Sequence, residues 1–197
     1  ELKLPSSGKT IKYRPFLVRE EKILILSLES EDRKQITSAV KQVLKECVLT
    51  KGIKVDQLPS FDIEYLFLNV RSKSVGETID LVVTCGDDGK TEVPVTVPID
   101  EIKVTKSDDH SPDIELSDGY KVRMKYPSLS QFIENNFSEV DSDDLVEKSF
   151  DMVASTIDMV YNDEEMFSAA ECTKKELKDW VETLTSAQFQ KIEKFFE

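Results

Sequence analysis

The chain has 197 residues, of which 39% are hydrophobic and 33% are charged, and its formal net charge is −13. This length suits one substantial core or two small lobes and excludes two large domains. The acidic balance argues against a general nucleic-acid binder, because contact with phosphates needs a basic face. Apolar runs stay well below the ~18 residues of a membrane-spanning helix, and we find no secretory leader pattern. Three widely separated cysteines predict a reducing compartment, so we expect a soluble, acidic, intracellular protein.

The excess of acidic residues is confined to the second half of the chain. Residues 1–106 contain 17 basic and 17 acidic side chains, whereas residues 107–197 contain 9 basic and 22 acidic ones. Such an acidic half is typical of a solvated surface, and it can also steer a basic partner or repel other copies of the chain. Both interpretations stay open at this point.

Helical spacing dominates the first third of the chain. We predict a short strand at 10–14 and helices at 16–28, 30–49 and 61–71. In the first helix Leu17, Leu24 and Leu28 share one face, which predicts that they point to the core. The apolar run 23–26 is equally typical of a buried strand, so that alternative is kept. Ser60 is placed to cap the third helix.

The middle of the chain changes from helical to alternating periodicity. Apolar residues alternate in 79–83 and 93–97 around the turn-forming segment 85–90, which predicts a β-hairpin. Pro94 lacks a backbone donor, so its strand belongs at a sheet edge or a bulge. Short strands are predicted at 102–105, 113–116 and 121–126, and the polar segment 106–112 is predicted to be an exposed loop.

The last third is predicted to be helical. An apolar stripe about four turns long runs through Val146, Phe150, Val153, Ile157 and Val160. Two capping boxes, Thr173 with Glu176 and Thr185 with Gln188, begin two further helices. The fold class is therefore predicted as α+β, with N-terminal helices, a small antiparallel sheet in the middle and a C-terminal helical segment. The expected regions are 1–77, 78–127 and the acidic 128–197, or together one compact unit.

A search for catalytic or metal-binding patterns finds no convincing site. His110 is the single histidine, and in its polar loop we expect it to be an ordinary exposed side chain. The segment Gly89-Lys90-Thr91 imitates the end of a phosphate-binding loop, but a strand follows where that motif needs a helix. Asp141, Asp143 and Asp144 are interpreted as a helix start. We predict no catalytic residues, no metal site and no cofactor.

Three segments together carry a family resemblance. These are 13–22 (YRPFLVREEK), 61–77 (FDIEYLFLNVRSKSVGE) and 184–196 (LTSAQFQKIEKFF). In order and spacing the chain resembles the baseplate hub assembly proteins of T-even-type contractile-tailed bacteriophages. Some members of that family carry a Cys-x-x-Cys turn where this chain has Cys85-Gly86-Asp87-Asp88. With aspartate in the last position, we predict hairpin turn chemistry here and not a zinc knuckle.

The resemblance implies a role in tail morphogenesis. It implies a non-enzymatic, chaperone-like assembly factor that contacts other phage baseplate hub proteins in the host cytoplasm during phage assembly. A permanent structural subunit of the hub, located in the virion tail baseplate, is the first alternative, and a tail-associated hydrolase is the second. No nucleic-acid partner and no membrane span are expected, and the oligomeric state is left open.

The predicted partner-binding residues lie in two places. Arg71, Ser72, Lys73, Ser74 and Gly76 form a basic turn that can pair with carboxylates of a partner, although cations at a helix C-terminus followed by glycine have the same pattern. At the end of the chain, adjacent phenylalanines do not easily face one core. We therefore predict that Phe196 packs inside and that Phe195 is exposed for docking.

Overall fold

The computed structural model describes residues 1–105, 107, 110–116, 119–131 and 145–196. Its contacts divide the chain into two compact units, Glu1–Thr105 and Lys106–Glu197. The boundary coincides to within one residue with the change in charge balance, so the second unit carries the acidic excess. The finer division into three regions stays a prediction.

The first unit combines three helices with two separate pairs of strands. Its elements are β1 (Leu2–Lys3), β2 (Thr10–Ile11), α1 (Val18–Glu29), α2 (Arg33–Cys47), α3 (Ser60–Val75), β3 (Thr78–Thr84) and β4 (Glu92–Pro98). α2 packs against both α1 and α3, and its buried face includes Val43 and Leu44. α2 begins after Asp32, whose carboxylate accepts hydrogen bonds from the backbone N–H groups of Lys34 (2.8 Å) and Gln35 (3.3 Å).

The three predicted helices and the hairpin of this unit are confirmed, but several boundaries are wrong. Ser60 is the first residue of α3, and Pro59 occupies the capping position without a side-chain hydrogen bond. α3 continues to Val75 and ends at Gly76, whose φ of 133° favours glycine. The predicted strand at 102–105 does not form. A single helical turn at Ile99–Glu101 ends there, and no neighbouring strand among the described residues pairs with the segment.

The second unit packs helices on a four-stranded antiparallel sheet. Its elements are β5 (Asp113–Glu115), β6 (Lys121–Met124), α4 (Leu145–Thr156), β7 (Ile157–Tyr161), β8 (Met166–Ser168), α5 (Lys174–Glu182) and α6 (Ser186–Glu193). The strands lie in the order β5-β6-β7-β8. Val122, Ile157 and Ile192 are fully buried in the core between the sheet and the helices.

The prediction of an all-helical last third is wrong. α4 ends at Thr156, whose hydroxyl donates to the carbonyls of Met152 and Val153, and Ile157 and Val160 belong to β7. The β-branched residues after Thr156 favour a strand because an open sheet edge is available, and Val160 pairs with Val122 of β6. β8 was not predicted, since its three residues are too short to show a period.

Both predicted capping boxes are confirmed. The Thr173 N–H donates to Glu176 Oε2 (2.7 Å), and the Thr185 N–H donates to Gln188 Oε1 (2.8 Å). The combination of helices with separate antiparallel sheets confirms the α+β class. The prediction made for Asp141, Asp143 and Asp144 lies outside the described residues, and so does part of the predicted loop 106–112.

Candidate interaction site

Exposed large apolar side chains are concentrated in the first unit. Among the described residues, this unit exposes Leu17, Val18, Ile25, Leu26, Leu28, Leu49, Val75, Leu81, Val82, Val83, Val93, Val95 and Val104. The second unit exposes Tyr120, Met166 and Phe167. Contiguous exposed apolar surface marks protein contact sites, whereas scattered single residues do not. The exposed residues of the first unit include two such groups of neighbouring side chains.

The first group is one face of the β3–β4 hairpin. The register pairs Ile79 with Val97, Leu81 with Val95 and Val83 with Val93, so that six aliphatic side chains lie on the same face. We call these six residues the hairpin apolar face. Leu81 is 47% exposed and Val83 is 49% exposed, and no other strand in the described part of the chain pairs with the hairpin.

The opposite face of the hairpin is mostly polar, and the outer edge of β4 lacks two backbone donors. On this polar face the Thr96 hydroxyl donates to Asp80 Oδ1 at 2.7 Å. Because hydrogen-bonded pairs alternate in an antiparallel ladder, the backbone groups of Pro94 and Pro98 point away from β3. Proline has no N–H, so two donors are missing from the outer edge of β4, which protects this edge against unspecific strand pairing.

The hairpin turn is held by one carboxylate. Asp88 Oδ1 accepts from the backbone N–H groups of Lys90 and Thr91, each at 2.9 Å, and Oδ2 accepts from the Thr91 hydroxyl. These hydrogen bonds, the one from the hydroxyl first, lower the pKa of Asp88 to about 2. Asp88 therefore has a role in the turn that needs no ion, in agreement with the hairpin chemistry predicted from the sequence. The described residues contain no cluster of three or more His, Cys, Asp or Glu side chains placed to hold a metal.

The second apolar group is the outer face of α1, where the prediction is wrong for two of the three leucines, whereas Leu24 is half-buried. Leu17 (51% exposed) and Leu28 (59%) point to solvent instead of the core, whereas Glu20 and Ser27 are buried. Together with Leu28, Val18 and Ile25 lie along one side of the helix, and we call these three residues the α1 outer face.

Buried Glu20 explains this orientation. Its carboxylate accepts hydrogen bonds from Arg14 Nη2 (3.1 Å), Arg19 Nε (2.9 Å) and the Leu17 N–H (2.5 Å). Hydrogen bonds from Arg14 and then Arg19 outweigh the effect of burial and lower the pKa of Glu20 to about 2. With the carboxylate paired inside, the adjacent apolar side of α1 is turned outward.

The predicted basic residues lie near the C-terminal end of α3, with Lys73 in its last turn. The Lys73 ammonium pairs with Glu77 at 2.8 Å, which raises the pKa of Lys73, and Arg71 Nη1 approaches the Thr78 carbonyl at 3.5 Å. Ser74 has an internal role, because its hydroxyl donates to the Val70 carbonyl and accepts from the Phe16 N–H. Ser72 is half-buried, and its carbonyl accepts from the N–H of Gly76, which ends the helix. These residues complete a helix C-terminus, and their contact with a partner stays a prediction.

The prediction that Phe195 is exposed is wrong, whereas Phe196 packs against the core as predicted. Phe195 is 6% exposed, whereas Phe196 is the half-buried residue of the pair, since the last helical turn rotates Phe195 toward the core. Phe195 stacks on His110 and Tyr126, with ring centroids 5.0 and 5.1 Å apart. His110 is therefore not a simple exposed side chain, and its Nε2 lies 2.9 Å from the Tyr126 hydroxyl.

Comparison with known protein families matches residues 1–197 to the family described as T4 bacteriophage base plate protein. The chain belongs to this family. No curated protein and no solved structure gives a significant match. Membership implies contact with other baseplate proteins and fits a place in the virion tail baseplate. In the described part of this baseplate protein, no helix is both long and apolar enough to cross a bilayer.

Sequence reasoning missed the α1 outer face, although a signal was present. Apolar residues at 23–26 and 28 cover more than one side of a helix, which is more than a single core-facing stripe requires. The hairpin was predicted from its alternation, but the exposure of its apolar face was not. Alternation shows which residues share a face and does not show whether another layer covers that face.

Replacement of Glu20 with Gln tests the role of the buried carboxylate. Because the pKa of Glu20 is about 2 in the folded unit and about 4.3 in an unfolded chain, the ionised form stabilises the fold above about pH 4.5. This stabilisation is lost as the pH falls toward about 2. We expect a lower melting temperature for Glu20→Gln at about pH 7 and a smaller difference from wild type at about pH 2.5, measured by circular dichroism. Glu21→Gln is the matched control, and an equal difference at both pH values would contradict the account.

Replacement of Asp88 with Ala tests the hairpin turn. The change removes the acceptor of the Lys90 and Thr91 amides, so we expect both amides to exchange with solvent several-fold faster in NMR measurements. Asp87→Ala is the control, because Asp87 is the exposed neighbouring aspartate in the same turn. Equal acceleration in the two variants would show that Asp88 does not organise the turn.

Proposed function

We propose that this baseplate protein is a non-enzymatic, chaperone-like assembly factor that helps to build the central hub of the baseplate through protein contacts. It would act in the host cytoplasm during phage assembly. The observation that carries the proposal is the hairpin apolar face, an aliphatic surface that a two-stranded ribbon cannot cover by itself. Other hub proteins are the partners that the family membership suggests.

The size of this surface favours a reversible contact. Full burial of one aliphatic side chain contributes about 1.5–3 kcal/mol. Four of the six side chains are 38–49% exposed, and Ile79 and Val97 are half-buried. The six residues together therefore offer about 5 kcal/mol, near the lower end of the roughly 4–15 kcal/mol that association costs. The hairpin apolar face alone supports weak binding, as a transient factor needs.

A permanent structural subunit of the hub is the second candidate. The α1 outer face adds further apolar surface in the same unit, and a stable interface needs about 800 Å² on each partner. Quantitative mass spectrometry of purified virions separates the two candidates. A transient factor is absent from finished particles, whereas a subunit is present in fixed stoichiometry.

The arrangement of the charged groups does not favour a tail-associated hydrolase. Asp113 is bound by Arg123 Nε at 2.7 Å and by the Tyr161 hydroxyl at 3.0 Å. Buried Asp62 accepts hydrogen bonds from the backbone N–H and the hydroxyl of Ser6, and buried Glu20 is held by arginines. These carboxylates serve structural contacts, whereas a hydrolase needs acid and base groups that converge on an open pocket.

The proposal is tested by weakening the hairpin apolar face without changing the hairpin. Leu81→Thr with Val95→Thr replaces one cross-strand pair by residues that also favour strands. The loss of roughly 2 kcal/mol of burial corresponds to a contact about thirtyfold weaker. We expect a reduced plaque titre when the variant complements a phage that lacks this protein, and less hub protein recovered with the tagged chain.

Val82→Thr is the matched control, because Val82 is 65% exposed on the opposite face of β3. Melting temperatures confirm that both proteins are folded. Wild-type titre and recovery for the double variant would overturn the proposal, and so would equal losses in the control.

A further inference from the structure

The second unit contains an apolar cavity that none of the functions discussed so far uses. Its volume is about 540 Å³. Val160 and Phe167 form a cross-strand pair on one wall, and Leu177 and Trp180 of α5 form the other. Phe167 is 53% exposed, so the cavity is open on the side of β8. This size and lining are typical of a preformed binding site.

An exposed carboxylate, that of Glu165, lies at the border of this cavity. Glu165 is one of the lining residues, and it ends the run Asp163-Glu164-Glu165 in the turn between β7 and β8. Asn162 Oδ1 accepts from the backbone N–H groups of Glu164 (2.9 Å) and Glu165 (2.6 Å), which fixes the turn. The three carboxylates are exposed and form no ion pair with a described residue.

We propose that the cavity receives the apolar side of a basic amphipathic helix from a baseplate partner. This inference rests on the proposed function, because it takes the occupant to be a protein of the hub. The apolar side chains of the helix enter between Phe167 and Trp180, and its basic residues meet the carboxylates of 163–165. Apolar anchors of a helix recur at i, i+3 and i+4, which suits a compact cavity.

Other occupants fit the structure less well. A strand added to the open edge of β8 would find only three residues to pair with. A second copy of the chain carries the same excess of acidic residues and is repelled. A small apolar ligand would make no use of the three carboxylates.

Trp180 makes the proposal directly testable in the intact chain, because it is the single tryptophan and it lines the cavity. The probe is a synthetic Leu/Lys amphipathic peptide of about five helical turns, ~18 residues, without tryptophan or tyrosine. Its counterpart has Leu/Glu in the same spacing. We expect a saturable change in Trp180 fluorescence with the Leu/Lys peptide, weaker at high salt, and none with the Leu/Glu peptide.

Two pairs of variants distinguish binding of the peptide in the cavity from non-specific electrostatic attraction to an acidic protein. Phe167→Glu places a charge in the wall and should weaken binding at least about tenfold, whereas Met166→Glu on the opposite face of β8 should not. Asp163→Asn with Glu164→Gln and Glu165→Gln should weaken binding about tenfold at low salt, whereas Glu193→Gln should leave it unchanged.

Several results would overturn the proposal. These are no change in fluorescence with the Leu/Lys peptide, equal binding of both peptides, and equal effects of the Phe167 and Met166 variants. Binding of an anilinonaphthalene dye without binding of the peptide would also reject a helix in favour of a small ligand. The hairpin apolar face lies in the other unit, so failure here leaves the complementation result for Leu81 and Val95 unaffected.

Discussion

The hairpin cannot bury its aliphatic side chains with its own residues. The antiparallel register of β3 and β4 places Leu81, Val95 and four further aliphatic residues on one face, and a two-stranded ribbon has no second layer of its own. Such a surface lowers the stability of an isolated chain and favours whatever partner covers it. The proposed role in hub assembly depends on this physical constraint more than on any single residue.

In α1 the charged side chain of Glu20 is buried at a position that an apolar residue normally occupies, and this also leaves apolar side chains exposed. A buried carboxylate is tolerated only when it is paired and hydrogen-bonded, and Glu20 meets this condition through Arg14, Arg19 and the Leu17 N–H. The consequence for α1 is that Val18, Ile25 and Leu28 remain outside. In the first unit, the burial of Glu20 therefore determines which apolar side of α1 is exposed.

Local signals predicted those parts of the fold that depend on local interactions. The two capping boxes, the three N-terminal helices and the hairpin follow from short-range spacing, and all are present. Ile157 and Val160 were misassigned because a helical period in sequence was overruled by pairing with β6, which is distant along the chain. The burial of Glu20 depends on its ion pair with Arg14. The burial of Phe195 depends on stacking with His110 and Tyr126. The cavity beside Trp180 is formed by segments from 116 to 188, so no motif indicates it.

The two units differ in the type of contact that they can offer. The first presents aliphatic surface with balanced charge, and the second combines an acidic surface with a cavity.

The most direct test of the proposed role is hydrogen–deuterium exchange of segment 78–98 in the free chain and in an isolated hub assembly intermediate. We expect exchange in this segment to slow strongly in the intermediate, because a partner covers the aliphatic face and suppresses opening of the ribbon. Unchanged exchange of this segment in an intermediate that contains the chain would contradict the proposed role.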